Sequence, residues 1–224
     1  WTADEWIGET ATIYSGTCAT VSQTIIDNDT NSITVSGWGC TPDNTSVYKI
    51  TSKDEWTTGK FGSALSFDGV DDNITIMDSD SIDVSNAITI SAWVNPISFP
   101  NAVNEIVSKW GDNVNQRSYL FNVTSAGIVR FFISPDGTAT SQIGFGTSQA
   151  IDTNTWSHLV ATSDGTTMKI FVNGIQDSNN LTADTIFNGT SPVAIGALSP
   201  PDGSSLYVFS GKIDDVRIYN YART

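Results

Sequence analysis

The chain has 224 residues, of which 39% are hydrophobic and only 15% charged, and its formal net charge is −14 at neutral pH. That charge repels nucleic-acid phosphates and anionic lipid, and the ten Lys and Arg form no run, so nucleic acid is excluded as a partner. No apolar stretch approaches the length needed to cross a bilayer, which excludes insertion by a membrane-spanning helix.

Residues 1–52 read as a small β-rich accessory module. Ala11–Tyr14, Val21–Ile26, Ser32–Val35 and Val47–Ile50 are short runs of β-formers divided by Ser-Gly, Asn-Asp and Pro-Asp turn signals. Cys18 and Cys40 flank the hairpin formed by the second and third runs and would meet across it as a disulfide; two free thiols are the alternative. Trp38 beside Cys40 is expected to pack on that bridge. Residues 53–60 are polar and read as a linker.

From residue 61 to 224 the strands come in a regular series. Asp136-Gly137, Asp164-Gly165 and Asn173-Gly174 are two-residue turn signals flanked by β-formers. In Thr167–Val172, Met168, Ile170 and Val172 face one way while Lys169 and Phe171 face the other, the pattern of a strand with one dry face. No segment shows sustained helical periodicity. The expected fold class is all-β, a two-sheet antiparallel sandwich with a small N-terminal β-module.

Two segments carry a resemblance. Ala64-Leu-Ser-Phe-Asp-Gly-Val-Asp-Asp72 and Gly211-Lys-Ile-Asp-Asp-Val-Arg-Ile-Tyr-Asn220 are alternating strands near the start and end of the series, each with adjacent aspartates. Together with Trp93 in Ile-Ser-Ala-Trp-Val and Trp156 in Thr-Trp-Ser-His-Leu-Val, they resemble the laminin-G-like jelly roll of the concanavalin A-like lectin/glucanase superfamily, over residues 58–224. The N-terminal runs are similar to small β-modules of microbial and phage surface proteins, which implies an accessory role. The resemblance implies that first and last strands pair, and that Asp68, Asp71, Asp72, Asp214 and Asp215 converge on one rim as ligands of a structural calcium. Hard cations take six to eight oxygens, which so many carboxylates can supply. Ordinary turn and solvent-face aspartates are the competing reading. Asp78-Ser-Asp-Ser-Ile-Asp83 reads as a solvated loop.

Catalytic groups are sparse. Glycanases on this fold place Glu-X-Asp-X-Glu on one strand, because hydrolysis needs an acid and a nucleophile at close spacing. This chain has four glutamates, Glu5, Glu9, Glu55 and Glu105, and no such strand. Its single histidine, His158, matches a structural strand position of the family. A non-enzyme is expected. For a ligand, Trp110 with Arg117 and Tyr119 offers an aromatic platform with polar neighbours, and Phe145 and Tyr207 are further candidates.

The leading expectation is a secreted binding or adhesion protein whose partner is a glycan or a surface protein. The alternatives are a structural subunit of a filament, sheath or surface layer that pairs with itself, or an accessory domain of a larger enzyme or viral tail protein. Six Asn-X-Ser/Thr sequons, at Asn28, Asn44, Asn73, Asn122, Asn180 and Asn188, add expected glycosylation sites on an extracellular chain.

Overall fold

The computed structural model describes residues 10–28, 32–41, 43–51, 56–111, 114–198 and 207–223. Two compact units divide the chain at Glu55/Trp56. All the regular elements among the described residues are strands. No helix there is long and apolar enough to cross a membrane.

The first unit is a four-stranded antiparallel sheet built from β1 (Thr10–Ser15), β2 (Ser22–Asn28), β3 (Ile33–Val35) and β4 (Val47–Thr51), in the order β3-β2-β1-β4. Its buried apolar side chains include Ala11, Ile13 and Ile25. Cys18 and Cys40 are joined as a disulfide with their Cα atoms 6.1 Å apart. A second tie is made by Asp43, whose carboxylate accepts hydrogen bonds from the Thr45 amide and hydroxyl and from the Thr17 hydroxyl. Those bonds, the Thr45 hydroxyl first, hold the Asp43 carboxyl down to about 2. Trp38 is half-buried.

The second unit is a two-sheet sandwich. Its seven-stranded sheet runs β15-β14-β13-β8-β17-β6-β5, with β5 (Trp56–Thr58), β6 (Ser63–Asp68), β8 (Ile88–Ser98), β13 (Ser157–Ser163), β14 (Thr167–Val172), β15 (Ile175–Thr182) and β17 (Ser210–Tyr219). The six-stranded sheet runs β12-β11-β10-β9-β16-β7, with β7 (Ile74–Ile76), β9 (Val103–Gly111), β10 (Gln116–Thr124), β11 (Ile128–Ile133), β12 (Ile143–Ala150) and β16 (Val193–Ile195). Every strand pairing in both sheets is antiparallel. Residues 56–58, read from the sequence as linker, are an edge strand paired with β6.

Alternation decides which residues fill the space between the sheets. Ile88, Ile90, Ala92 and Val94 of β8 face inward, as do Met168 and Ile170 of β14 and Phe121 and Val123 of β10. Phe121 meets Phe131, and Phe67 meets Phe209, each edge to face at 6.4 Å between centroids. Phe67 lies against Gly196, where a Cβ would come within 2.2 Å of its ring. The last strand, β17, lies inside its sheet between β8 and β6, with Ser210 opposite Asp68 and Ile213 opposite Leu65. The first long strand of the sandwich and the last are therefore neighbours, as the sequence suggests.

Candidate functional site

The outer face of the six-stranded sheet carries the densest set of converging polar groups. On β10, Phe121 and Val123 point into the core, so Asn122 between them points out. Register then places Asn122 opposite Glu105 of β9 and opposite Arg130 of β11. A carboxylate, an amide and a guanidinium thus form one row across three strands. The Asn122 amide donates to Glu105 Oε1 at 3.2 Å, and its Oδ1 accepts from Arg130 Nε at 3.0 Å. Asn122 is fully buried and Glu105 is 2% exposed, so the row is the floor of a depression rather than a solvated surface. Burial pushes the Arg130 guanidinium down from its usual range, and the Glu105 charge opposes that shift.

Two glycines make room for this arrangement. Gly144 and Gly146 of β12 stand opposite Phe132 and Arg130. A Cβ at Gly144 would lie 2.0 Å from the Phe132 ring, and one at Gly146 would lie 3.2 Å from Arg130 Cγ. With both side chains absent, Phe132 and Arg130 lie flat across β12, and the guanidinium stands over the Phe132 ring at 5.2 Å. The result is a groove of about 280 Å³ bounded by Glu105, Trp110, Asn122, Arg130, Phe132 and Tyr207. Its aromatic walls and hydrogen-bonding floor are the equipment that pyranose rings require: flat apolar surface for C–H faces, and fixed donors and acceptors for hydroxyls.

The structure sorts the ligand-binding residues expected from the sequence. Trp110 lines the groove, although its side chain is buried, and Arg117 lies opposite it with Cζ 6.0 Å from the indole. Tyr119 does not join them. Strict alternation from Arg117 would put Tyr119 on the outer face, but the register shifts between Arg117 and Tyr119, and the extra residue, Ser118, turns Tyr119 inward. Tyr119 is fully buried in the core, with its hydroxyl 3.4 Å from the Ile82 carbonyl. Burial first, then the charges of Asp83 and Asp78, push the phenol up. Phe145 packs on the core, whereas Tyr207 reaches the groove.

The five aspartates expected to meet at one rim do not all meet. Asp68, Asp71 and Asp72 place carboxylate oxygens within 4.8 Å of one another in the turn after β6. Asp214 and Asp215 lie elsewhere, because Ser210 rather than either aspartate sits opposite Asp68. Four residues of strand separate Asp214 from that end, about 13 Å at the usual rise. Asp214 accepts from the Phe61 amide at 2.9 Å, and Asp215 pairs with Arg217 at 2.8 Å. The three-aspartate turn has the all-oxygen donor set of a hard-cation site. Two of its carboxylate oxygens already accept backbone amides, those of Asp68 and Val70, each at 2.7 Å.

Two further expectations change. Asp78 and Asp83 are not solvated; both bind the buried Lys109 ammonium, at 2.5 and 3.3 Å. Asn122, one of the sequons, is buried in the polar row and out of reach of a glycosylating enzyme. Asn44, Asn73, Asn180 and Asn188 are exposed, and the side chain of Asn28 lies outside the described residues. His158 stacks on Trp93 at 5.0 Å, on the outer face of the seven-stranded sheet.

The fold defines a class, the antiparallel jelly-roll sandwich whose first and last strands are neighbours. Residues 68–224 match the family model described as the concanavalin A-like lectin/glucanases superfamily, and the chain belongs to that superfamily. No curated protein matches it in sequence. Among solved structures, the chain is similar to the CBM40 domain of the Ruminococcus gnavus IT-sialidase bound to α2,3-sialyllactose, at 20% identity and a TM-score of 0.56, covering 70% of this chain and 92% of that one. It is also similar to domain 4 of AbnA, a GH43 extracellular arabinanase from Geobacillus stearothermophilus, in complex with arabinotriose, at 20% identity and a TM-score of 0.58, covering 78% of each chain. A third neighbour is a heptameric SAP-like pentraxin from Limulus polyphemus, at 18% identity and a TM-score of 0.55, covering 71% of this chain and 76% of that one. At these identities the likeness is one of fold.

Proposed function

We propose that the sandwich is a non-catalytic, extracellular glycan-binding module that holds sugar in the groove over β9–β12 and carries a structural calcium at the Asp68 turn. The observation that carries this reading is the row Glu105–Asn122–Arg130, a fixed acceptor, amide and donor beneath aromatic walls. Glu105 is the sole glutamate of the sandwich, and its neighbours in the row are an amide and a guanidinium. Glycoside hydrolysis needs a second carboxylate there. Two of the fold neighbours are a carbohydrate-binding domain bound to sialyllactose and an arabinanase domain in complex with arabinotriose, which supports a glycan as partner. The Cys18–Cys40 disulfide supports an oxidising compartment.

A glycan array followed by calorimetry tests the groove. The protein should retain one glycan class, and Arg130→Met should weaken it by at least about tenfold, the usual worth of a charge-assisted hydrogen bond. Retention of no glycan, or equal affinity in the variant, would discard this site.

Calcium has its own test. Raising free calcium to a hundredfold excess over its Kd stabilises the folded state by about 2.7 kcal/mol, which should lift the sandwich's melting midpoint by roughly 5–10 °C. EDTA should reverse the shift and Asp72→Asn should abolish it. An unchanged midpoint would return the three aspartates to ordinary turn chemistry.

A further inference from the structure

The outer face of the seven-stranded sheet contains a trough, and its shape follows from residue size. Trp93, Ser91 and Thr89 of β8 point outward between the inward Ile88, Ile90, Ala92 and Val94. Ser91 stands opposite Arg217 of β17 on one side and Val160 of β13 on the other, and Val160 stands opposite Phe171 of β14. Small hydroxyl residues therefore form the floor. Arg217, Tyr219 and Arg223 form one wall, Val160 and Phe171 the other, and the Trp93–His158 stack closes one end. The trough measures about 490 Å³, larger than the groove on the opposite sheet and within the range of small-ligand sites.

Its cationic wall is held in place. Arg217 Nε donates to Asp215 at 2.8 Å, and the guanidinium also bonds Tyr219. Arg223 stands over the Tyr219 ring at 4.7 Å. The Thr89 hydroxyl fixes that segment by donating to the Tyr221 carbonyl and accepting the Arg223 amide, both at 2.8 Å. A register shift in β17 between Asp214 and Arg217 provides the extra residue that brings Asp215 beside Arg217. Lys60 adds a third cation, 4.7 Å from the Trp93 ring. The carboxylates near the trough are Asp215 and the buried Asp214, which is bonded to the Phe61 amide. A chain of net charge −14 thus gathers Lys60, Arg217 and Arg223 around one concavity.

We propose that this trough is a second ligand site, on the sheet opposite the first groove, and that it takes a short saccharide bearing a carboxylate. The arginines would receive the carboxylate, the aromatic and Val160 surfaces would pack on ring C–H faces, and Ser91 would meet a hydroxyl. Charge complementarity favours the anion: elsewhere the molecule repels negative ligands, and here the local field reverses. The site is independent of the groove containing Arg130.

The test uses three acidic probes: trigalacturonate, hyaluronan tetrasaccharide and α2,3-sialyllactose. Each is titrated calorimetrically beside its neutral methyl ester. At least one acid should bind, with its ester weaker by about tenfold or more. Arg217→Gln should lose a similar factor, Arg223→Gln should lose part of it, and Arg130→Met should leave it unchanged. Asp215→Asn should tighten the acid about threefold, because it removes the competing charge; Asn tolerates the positive φ of 49° found there. That gain cannot come from damaged folding. Silence from all three acids, or esters that bind as well as acids, would overturn the proposal. An acid lost in Arg130→Met and kept in Arg217→Gln would also overturn it, and would assign that sugar to the first groove.

Discussion

Replacing Lys109 with Met should lower the unfolding free energy of the sandwich by about 3–5 kcal/mol, the usual cost of breaking a buried ion pair from one side. Lys109 is fully buried, and its ammonium is held by four oxygens from two separate segments. Asp78 and Asp83 contribute carboxylates at 2.5 and 3.3 Å, and the carbonyls of Gly189 and Ser191 contribute the rest, the latter at 3.0 Å. The side chain braces the 78–83 loop against the 189–191 segment at one end of the core, beside the Tyr119 hydroxyl. Met fills a similar volume without the charge, so two carboxylates would lose their cation in a poorly solvated place. Urea unfolding of the variant measures the loss. Adding Asp78→Asn and Asp83→Asn should recover part of it, since no charge would then remain unpaired. A loss below about 1 kcal/mol would mean that the cluster is solvated like a surface pair.

Reducing the Cys18–Cys40 bridge should unfold the N-terminal unit and leave the sandwich intact. The cysteines are 22 residues apart, and closing a loop of that size stabilises by about 3 kcal/mol in the chain-entropy model. A unit of about 55 residues buries too little surface to spare that much. Calorimetry of the whole chain should show two transitions. Dithiothreitol should abolish the smaller one and leave the larger at its original temperature. A small transition that survives reduction would show that the four-stranded sheet and the Asp43 hydrogen bonds suffice alone.

The parts of the molecule legible in the sequence are those fixed by local chemistry. Asn173-Gly174 turns the chain with both residues at positive φ, 53° and 80°, as such a dipeptide does between two antiparallel strands. Met168 and Ile170 face inward because residues two apart share a face. Trp110 was recognisable as an aromatic in a polar neighbourhood. The Glu105–Asn122–Arg130 row was not, since it exists only once three strands adopt one register. The signals that point to it are a lone glutamate inside an apolar strand and two glycines at alternate positions in Ile143–Ala150. Tyr119 and the pair Asp214–Asp215 were misplaced for related reasons. A bulge reverses the facing of one, and a register offset along β17 separates the other two from Asp68. Lys109 illustrates the same limit, because only the tertiary fold brings the 78–83 loop over that end of the core.

The position of β17 has a consequence for how the domain is made. It is an interior strand, hydrogen-bonded on one side to β8 and on the other to β6. Until it emerges from the ribosome, β8 and β6 lack their common partner, and the seven-stranded sheet is two fragments with raw edges. The sandwich therefore cannot fold piecemeal during synthesis; it closes only after its last strand is delivered, by contacts far apart along the chain, the slowest kind to form. A nascent chain that stalls before Ser210 is left with unpaired strand edges open to aggregation.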